Sequence, residues 1–270
     1  LDIDFTGKTL IMGILNVTPD SFSDGGKYSF LDNAVAHAKK MAEEGADIID
    51  VGGESTRPGH KQISVEEEIA RVVPVIKAIK EELDIALSID TYKSDVAEAA
   101  IAAGADIIND VWGAKYDPAI AAVAANHQVP IILMHNRNHT SYTDFWNEVK
   151  SDMEESITIA LEAGVKKEQI WLDPGIGFGK DTHQNIEMMQ LLDRFVGLGY
   201  PVLLGTSRKS MIGKVLDVPV SERLEGSLAT VCYGAGKGCS IVRVHDVKET
   251  ARALKMTDIL NGKVKYQEAE

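Results

Sequence analysis

Polar residues with chemical capacity recur along the 270-residue chain, each group directly after a short apolar run. In order they are Asn16; Glu54, Thr56 and Arg57; Asp90; Asn109 and Asp110; His135; Asp173; Ser207, Arg208 and Lys209; and Arg243 with His245. Brought together, Asp90, Asn109 and Asp173 supply carboxylates and an amide. That set pairs with a heteroaromatic edge bearing adjacent N–H and amino groups, as a 2-amino-4-oxopyrimidine does. Lys209 and Arg243 could donate to the ring carbonyl and nitrogens, and a guanidinium can stack on the ring face. Asn16, Thr56, Arg57 and His245 would surround a phosphorylated arm. Asn16 and Asp20 offer hard oxygen ligands suited to Mg²⁺ with a ligand phosphate completing its shell. These residue types point to a nitrogen heterocycle carrying phosphate and leave the reaction open.

A lone aspartate after a strand is often only a helix N-cap. Chemistry after every strand asks for a fold that gathers strand ends. Apolar runs at 9–15, 47–51, 86–89, 106–108, 130–134, 170–172, 201–204 and 240–244 read as strands. Amphipathic stretches at 31–44, 65–83, 94–103, 118–126, 144–163, 185–195, 221–234 and 247–256 read as helices. Each strand–helix unit takes about 34 residues, the size of a βα repeat. The strands are nearly continuous apolar runs, as expected of parallel strands covered on both faces. One motif repeats: Gly45-Ala46-Asp47-Ile48-Ile49-Asp50 returns as Gly104-Ala105-Asp106-Ile107-Ile108-Asn109. Its glycine supplies the left-handed residue that ends a helix, and its apolar pair opens the next strand. No Pro/Ser-rich linker divides the chain, so the expected fold is a single (βα)₈ TIM barrel. In that fold all strand carboxyl ends share one face.

Two connections are long, residues 16–30 and 52–64, and long Gly/Pro-rich βα loops tend to be lids or binding loops. Gly205-Thr206-Ser207-Arg208-Lys209 joins small hydroxyls and two cations at a strand-to-helix turn, a candidate anion site. In Asp173-Pro174-Gly175-Ile176-Gly177-Phe178-Gly179 the alternate glycines would let backbone approach a flat ligand. That spacing is not a dinucleotide fingerprint. Gly7-Lys8-Thr9 imitates the end of a phosphate loop, but the earlier glycine position holds Asp2. His135 and His139 have ligand-like spacing without a third partner nearby, which speaks against zinc.

Lys and Arg total 28 against 41 Asp and Glu, a net charge of −13. A field of that sign disfavours nucleic-acid binding while leaving room for a small anion held by local cations. No apolar run approaches a membrane span, and the acidic start, Leu1 to Asp4, lacks a signal-peptide pattern. The two cysteines, Cys232 and Cys239, form no paired motif and read as inert thiols. A cytoplasmic protein is the expectation.

The run Ile14-Leu15-Asn16-Val17-Thr18-Pro19-Asp20-Ser21-Phe22-Ser23-Asp24-Gly25-Gly26 resembles the signature of bacterial dihydropteroate synthases. The likeness continues, in order, through Gly52–Gly59, Ser88-Ile89-Asp90-Thr91, Ile108-Asn109-Asp110 and Leu133-Met134-His135. It ends with 173–180, Ser207-Arg208-Lys209-Ser210 and Arg243-Val244-His245-Asp246-Val247. The resemblance implies one pterin-binding barrel over residues 1–270 that condenses (7,8-dihydropterin-6-yl)methyl diphosphate with 4-aminobenzoate in folate biosynthesis. It implies that Asp90, Asn109, Asp173 and Lys209 hold the pterin, with Met134 and Phe178 lining its pocket. Asn16, with Asp20, would bind Mg²⁺ and diphosphate, and Thr56, Arg243 and His245 would contact the phosphates. Asp20, Phe22, Arg57 and Pro58 would belong to two mobile loops closing the second-substrate site. Ser210 would meet the aminobenzoate carboxylate, the feature sulfonamides imitate. A homodimer through helices on the barrel's far side also follows from the family. The competing expectation is a methyltetrahydrofolate-binding methyltransferase domain, which shares the barrel and the pterin edge but needs neither the first loop nor a diphosphate site.

Overall fold

Parallel strands cannot be joined by a hairpin; each needs a crossover that returns the chain to the same end of the sheet. Every apolar run of this chain is followed by at least one helix that can make that return. The computed structural model describes residues 1–19, 29–56 and 59–270. Its strands are β1 (Leu10–Asn16), β2 (Ile48–Gly52), β3 (Ala86–Asp90), β4 (Ile107–Asp110), β5 (Ile131–Met134), β6 (Ile170–Asp173), β7 (Leu203–Leu204) and β8 (Ile241–Val244). Between and after them run α1 (Phe30–Glu44), α2 (Val65–Glu82), α3 (Ser94–Ala103), α4 (Ala119–His127), α5 (Phe145–Glu162), α6 (Thr182–Gln190), α7 (Leu192–Val196), α8 (Ser210–Leu216), α9 (Leu224–Gly236) and α10 (Val247–Leu260). The strand order is β6-β5-β4-β3-β2-β1-β8-β7, with parallel pairing throughout. A single bridge, Leu172 to Val202, joins β6 to β7 and closes the ring. This is the (βα)₈ barrel expected from the sequence.

Side chains alternate in and out along each strand, so parity decides which core a residue joins. Leu10, Met12, Ile48, Ile107, Ile132, Trp171, Leu203 and Ile241 point inward and form one buried cluster at the barrel's amino-terminal half. Phe5 meets Trp171 edge to face, ring centroids 5.0 Å apart, and plugs that end. The opposite parity, including Ile11, Ile49, Leu87, Ile108, Leu133 and Leu172, joins the larger core beneath the helices. Two residues further along, the inward positions turn polar: Asp50, Ser88, Asn109, Asp173 and Arg243. The barrel is dry below and ionic above.

Local chemistry explains where the elements start and stop. Ser29 Oγ accepts from Asp32 N at the head of α1, and Ser64 Oγ from Glu67 N at the head of α2. In the repeated motif, Gly45 (φ 117°) and Gly104 (φ 124°) close α1 and α3 in the positive-φ region. The motif's aspartate has its own task. Asp47 accepts from the Ile11 N–H and from Lys8 Nζ; Asp106 accepts from the Leu87 N–H and from Lys80 Nζ. Each therefore ties the start of its own strand to the start of the preceding one.

The structure departs from the sequence reading in two places. The helix expected at 185–195 is two helices, because an aspartate–glutamine capping box at Asp181 and Gln184 starts α6 earlier and the chain bends at Leu191. A short helix, α8, lies between β7 and the helix expected at 221–234, where the sequence reading marks a strand-to-helix turn without giving that helix bounds. No helix among the described residues is long and apolar enough to cross a membrane.

Trp171 is 1% exposed and fills the barrel floor. Trp171→Ala is expected to destabilise the chain by about 3–5 kcal/mol. A urea titration followed by circular dichroism checks this through a lowered midpoint.

Candidate active site

The polar inward layer is organised around one guanidinium. Arg243 leaves β8, and its Nε donates to Asp50 Oδ2 at 2.7 Å while Nη2 reaches Asp90 Oδ2 at 3.4 Å. Asp50, in the middle of β2, also accepts from Ser88 Oγ (2.6 Å) and Asn109 Nδ2 (3.1 Å). The register makes this possible: Asp50 lies beside Ser88, Asp90 beside Asn109, and Gly52 beside Asp90. A Cβ on Gly52 would stand 3.1 Å from Asp90 Oδ2, so the glycine leaves the carboxylate its place. Asp50 is a floor residue that the sequence reading missed. The repeat carried the signal, since Asp50 and Asn109 occupy the same position in its two copies and meet each other in the barrel.

Asp90 Oδ1 is buried and meets no hydrogen-bond partner among the described residues. It is the acceptor that the floor offers to a donor from outside the chain. Burial, and then the neighbouring Asp50 charge, push the Asp90 carboxyl above the usual carboxylate range, with Arg243 opposing. Burial works against the Arg243 charge, but Asp50 and Asp90 outweigh it and hold the guanidinium charged.

Asp173 ends β6, directly beside Met134 at the end of β5. Its Oδ1 accepts from the Gly175 N–H at 2.8 Å, and burial raises its carboxyl despite Lys209 nearby. Lys209 precedes α8, and its Nζ donates to the Ile176 carbonyl at 2.6 Å while standing 5.0 Å from the Phe178 ring centroid. Burial lowers the Lys209 ammonium to about 8, and Asp173 holds it up. Met134 packs with Tyr92 and Val111, and Phe178 rests on that apolar patch. Asp90, Asn109, Asp173, Lys209, Met134, Phe178 and Arg243 thus share one floor of acceptors, cations and a flat apolar wall.

The remaining candidate residues lie around the rim. Asn16 is exposed at the end of β1, and Ser210 is exposed at the first turn of α8. His245 Nδ1 lies 2.8 Å from Ser207 Oγ, which also accepts the His245 N–H. The two cations of the turn after β7 part company: Lys209 turns to the floor, whereas Arg208 pairs outward with both carboxylate oxygens of Asp246. They do not form a joint anion site, because the Asp246 carboxylate already matches the Arg208 fork. Asp20, Phe22, Arg57 and Pro58 lie outside the described residues.

Glu54 roots the second long connection. Its carboxylate accepts from the Ile63 N–H, the Tyr92 hydroxyl and Lys93 Nζ, and Lys93 also pairs with Glu68. The two ends of that loop are thereby stapled together. Thr56, just beyond the staple, lines a cleft of about 510 Å³ that also touches Trp112, Asn136, Phe178 and Lys180. The cleft opens beside the ionic floor rather than over it, because the floor carboxylates and cations close on one another.

Raised carboxyls make the floor a cost that grows with pH. Asp90 binds a proton more tightly in the folded chain than in the unfolded one. Its unfavourable contribution is absent below about pH 4 and grows as pH rises toward its folded value. Asp90→Asn is therefore expected to gain stability over wild type, more at pH 8 than at pH 5.5. Paired denaturant titrations at the two pH values check this, the difference from wild type isolating Asp90 from the other groups.

Comparison with known proteins agrees with this geometry. The model of the pterin binding enzyme family matches residues 12–245. The chain is 59% identical to dihydropteroate synthase of Bacillus subtilis (strain 168) over 97% of its own length and 92% of that protein. A solved dihydropteroate synthase from Clostridium difficile, in the presence of pteroic acid, superposes with a TM-score of 0.93 at 54% identity, covering 96% of this chain and 99% of that one. The Xanthomonas albilineans dihydropteroate synthase with 4-aminobenzoic acid gives a TM-score of 0.90 at 43% identity, with 94% of each chain covered. The floor, the barrel and these likenesses agree: the chain belongs to the pterin binding enzyme family, among its dihydropteroate synthases.

Proposed function

We propose that this chain is a transferase that joins (7,8-dihydropterin-6-yl)methyl diphosphate to 4-aminobenzoate, giving 7,8-dihydropteroate and pyrophosphate in folate biosynthesis. The observation that carries the reading is the buried Asp90 Oδ1, an acceptor without a partner among the described residues, beside Asn109, Asp173 and Lys209. A 2-amino-4-oxo ring edge brings the donors and acceptors that this set lacks. Related solved proteins carry pteroic acid, 4-aminobenzoic acid and 7,8-dihydropteroate, which supports both substrates and the product.

The reaction breaks the bond between the methylene carbon and the diphosphate oxygen, whose electron pair leaves with the diphosphate. The dihydropterin ring nitrogens delocalise the cation that remains. Asp173 or Asp90, within a low-dielectric floor, stabilises that charge as it develops. The arylamine nitrogen then forms the carbon–nitrogen bond and releases its proton; being weakly basic and neutral near pH 7, it needs no strong base. Phe178 and Met134 shelter the ring from water on one side. Arg243 holds the floor carboxylates in place, and His245, tied to Ser207, is the residue this reading assigns to the departing phosphates.

Mg²⁺ belongs to this reading. Asn16 is an exposed neutral oxygen ligand at the rim. No group of three or more His, Cys, Asp or Glu side chains among the described residues could hold a metal. That donor set suits an ion bound largely through substrate phosphate oxygens and water, with Asn16 and Asp20 as its protein ligands. When bound, Mg²⁺ neutralises diphosphate charge and so improves the leaving group.

The same reading includes a homodimer. Val215 and Leu216 of α8, Tyr233 of α9, and Met256 and Leu260 of α10 expose apolar surface on neighbouring helices, which supports pairing there. Two unpaired thiols, with buried Cys239 pushed up to about 12, suit a reducing cytoplasm.

The test is pyrophosphate release that depends on 4-aminobenzoate, with two substitutions beside it. Asp173→Asn is expected to weaken pterin binding by about 100-fold, the loss of a charged hydrogen bond. Asp20→Ala is expected to spare pterin binding and remove most of the condensation. Equal loss of pterin affinity in both variants would defeat this division of roles. A methyltetrahydrofolate carrier would release no pyrophosphate at all.

A further inference from the structure

On the β5–β6 side, behind the floor, runs a chain of buried polar groups that the proposed reaction does not use. Lys180 is 7% exposed, and its ammonium has three acceptors: His135 Nδ1 at 2.8 Å, the Phe178 carbonyl at 3.0 Å and the Gly175 carbonyl at 3.1 Å. Those three bonds use every proton an ammonium carries. His135 Nε2 lies 2.8 Å from Asp152 Oδ2. A carboxylate only accepts, so the ring proton sits on Nε2 and Nδ1 is left to accept from Lys180. Burial lowers His135 to about 4 and keeps that ring neutral near pH 7. Asp152 also takes Arg137 Nε at 2.7 Å; burial opposes its charge, but the bonds from His135 and Arg137 hold it well below the usual carboxylate range.

The two carbonyls that Lys180 holds bracket one turn, Gly175 to Phe178. Between them lies the Ile176 carbonyl, which accepts from Lys209 Nζ, and at the end stands Phe178, the ring against the same Nζ. At the start, the Gly175 N–H donates to Asp173 Oδ1. One buried cation therefore fixes the segment that touches Asp173 and Lys209 and carries Phe178. The turn is also wedged against the chain leaving β5. Gly175 has φ 71°, and a Cβ there would stand 1.9 Å from the His135 carbonyl oxygen; at Gly179 (φ 59°) it would stand 2.7 Å from Arg137 N. Gly175 and Gly179 are thus needed for the protein's own close approach, a reason beyond the ligand approach that the sequence suggests. With the backbone pressed inward, its carbonyls need an interior donor, and Lys180 is that donor.

We propose that Lys180, oriented by His135 and Asp152, is a positioning residue for the reaction: it clamps the Gly175–Phe178 turn and so sets where the Lys209 ammonium and the Phe178 ring meet the pterin. The proposal rests on the pterin reading of the floor. Burial also lowers Lys180 to about 7, with Asp173 opposing.

The experiment is a double-substitution cycle on the full chain, with affinity for 6-hydroxymethyl-7,8-dihydropterin read by fluorescence and folding read by thermal melting. The four proteins are wild type, Lys180→Met, Lys209→Met and the double variant. Lys180→Met is expected to weaken pterin binding about tenfold or more, as misplacement of a site group from a distance does. In the Lys209→Met background the same change is expected to cost at most about twofold, because of the two groups it positions only the Phe178 ring remains. Losses that multiply in the double variant would overturn the proposal, since a purely structural role acts alike in both backgrounds. If Lys180→Met does not fold, Tyr142→Phe takes its place. It removes the hydroxyl donated at 2.7 Å to the Gly179 carbonyl, on the same loop. A smaller loss is then expected, with the same collapse in the Lys209→Met background, and multiplying losses again overturn the proposal. A wild-type chain that binds no pterin would defeat the reading of the floor itself, and this inference with it.

Discussion

A guanidinium held between two buried carboxylates is the constraint around which the upper half of this barrel is arranged. Arg243 can stay charged there only because Asp50 and Asp90 stand within reach, and the two carboxyls can stand so near each other only because Arg243 lies between them. Removing Arg243 would leave two buried carboxylates without their cation, and removing Asp50 would leave the guanidinium without its shortest partner. Ser88 and Asn109 complete the Asp50 shell, and Gly52 leaves room for Asp90. What is left over after this mutual satisfaction is one oxygen of Asp90. That buried acceptor, without a partner among the described residues, is prepared for a hydrogen-bond donor from outside the chain.

The fold makes this arrangement affordable in packing terms. The inward residues one step lower on the strands are apolar, so the ionic layer rests on a dry plug capped by Phe5 and Trp171. Polar side chains at the same height on several strands then need no loop to hold them. Asp90, Asn109, Asp173 and Arg243 sit on strands, where backbone pairing fixes their spacing. Of the residues expected to manage the second substrate, Asp20, Phe22, Arg57 and Pro58 belong to the long connections, while Ser210 opens α8. On the proposed function, recognition of the ring falls to rigid elements and handling of the second substrate to the connections.

Much of this was legible in the sequence because a barrel turns order along the chain into position around a ring. Polar residues after each apolar run converge on one face whatever the helices do, so Asp90, Asn109, Asp173 and Lys209 could be named in advance. Asp50 escaped because it lies inside an apolar run, one layer below the strand ends. Only the inward parity of β2, which the repeat with Asn109 encodes, reveals it. Arg208 misled for the opposite reason: adjacent basic residues look like one site, yet neighbours at a turn point apart, and Asp246 had claimed one of them. The glycines after β6 were legible as necessary, but not that Gly175 and Gly179 meet the backbone of His135 and Arg137. Close contact between distant backbone segments leaves no trace in spacing.

The seam between β6 and β7 gives the ring an unequal strength. Seven of its junctions are ladders, whereas here one bridge, with the Leu172 N–H on the Pro201 carbonyl at 2.9 Å, carries the closure. Asp173 and Lys209 stand on opposite sides of that gap. A barrel built this way has a built-in clasp: when it loosens, the anion and cation that straddle it separate first, while the remaining staves keep their spacing.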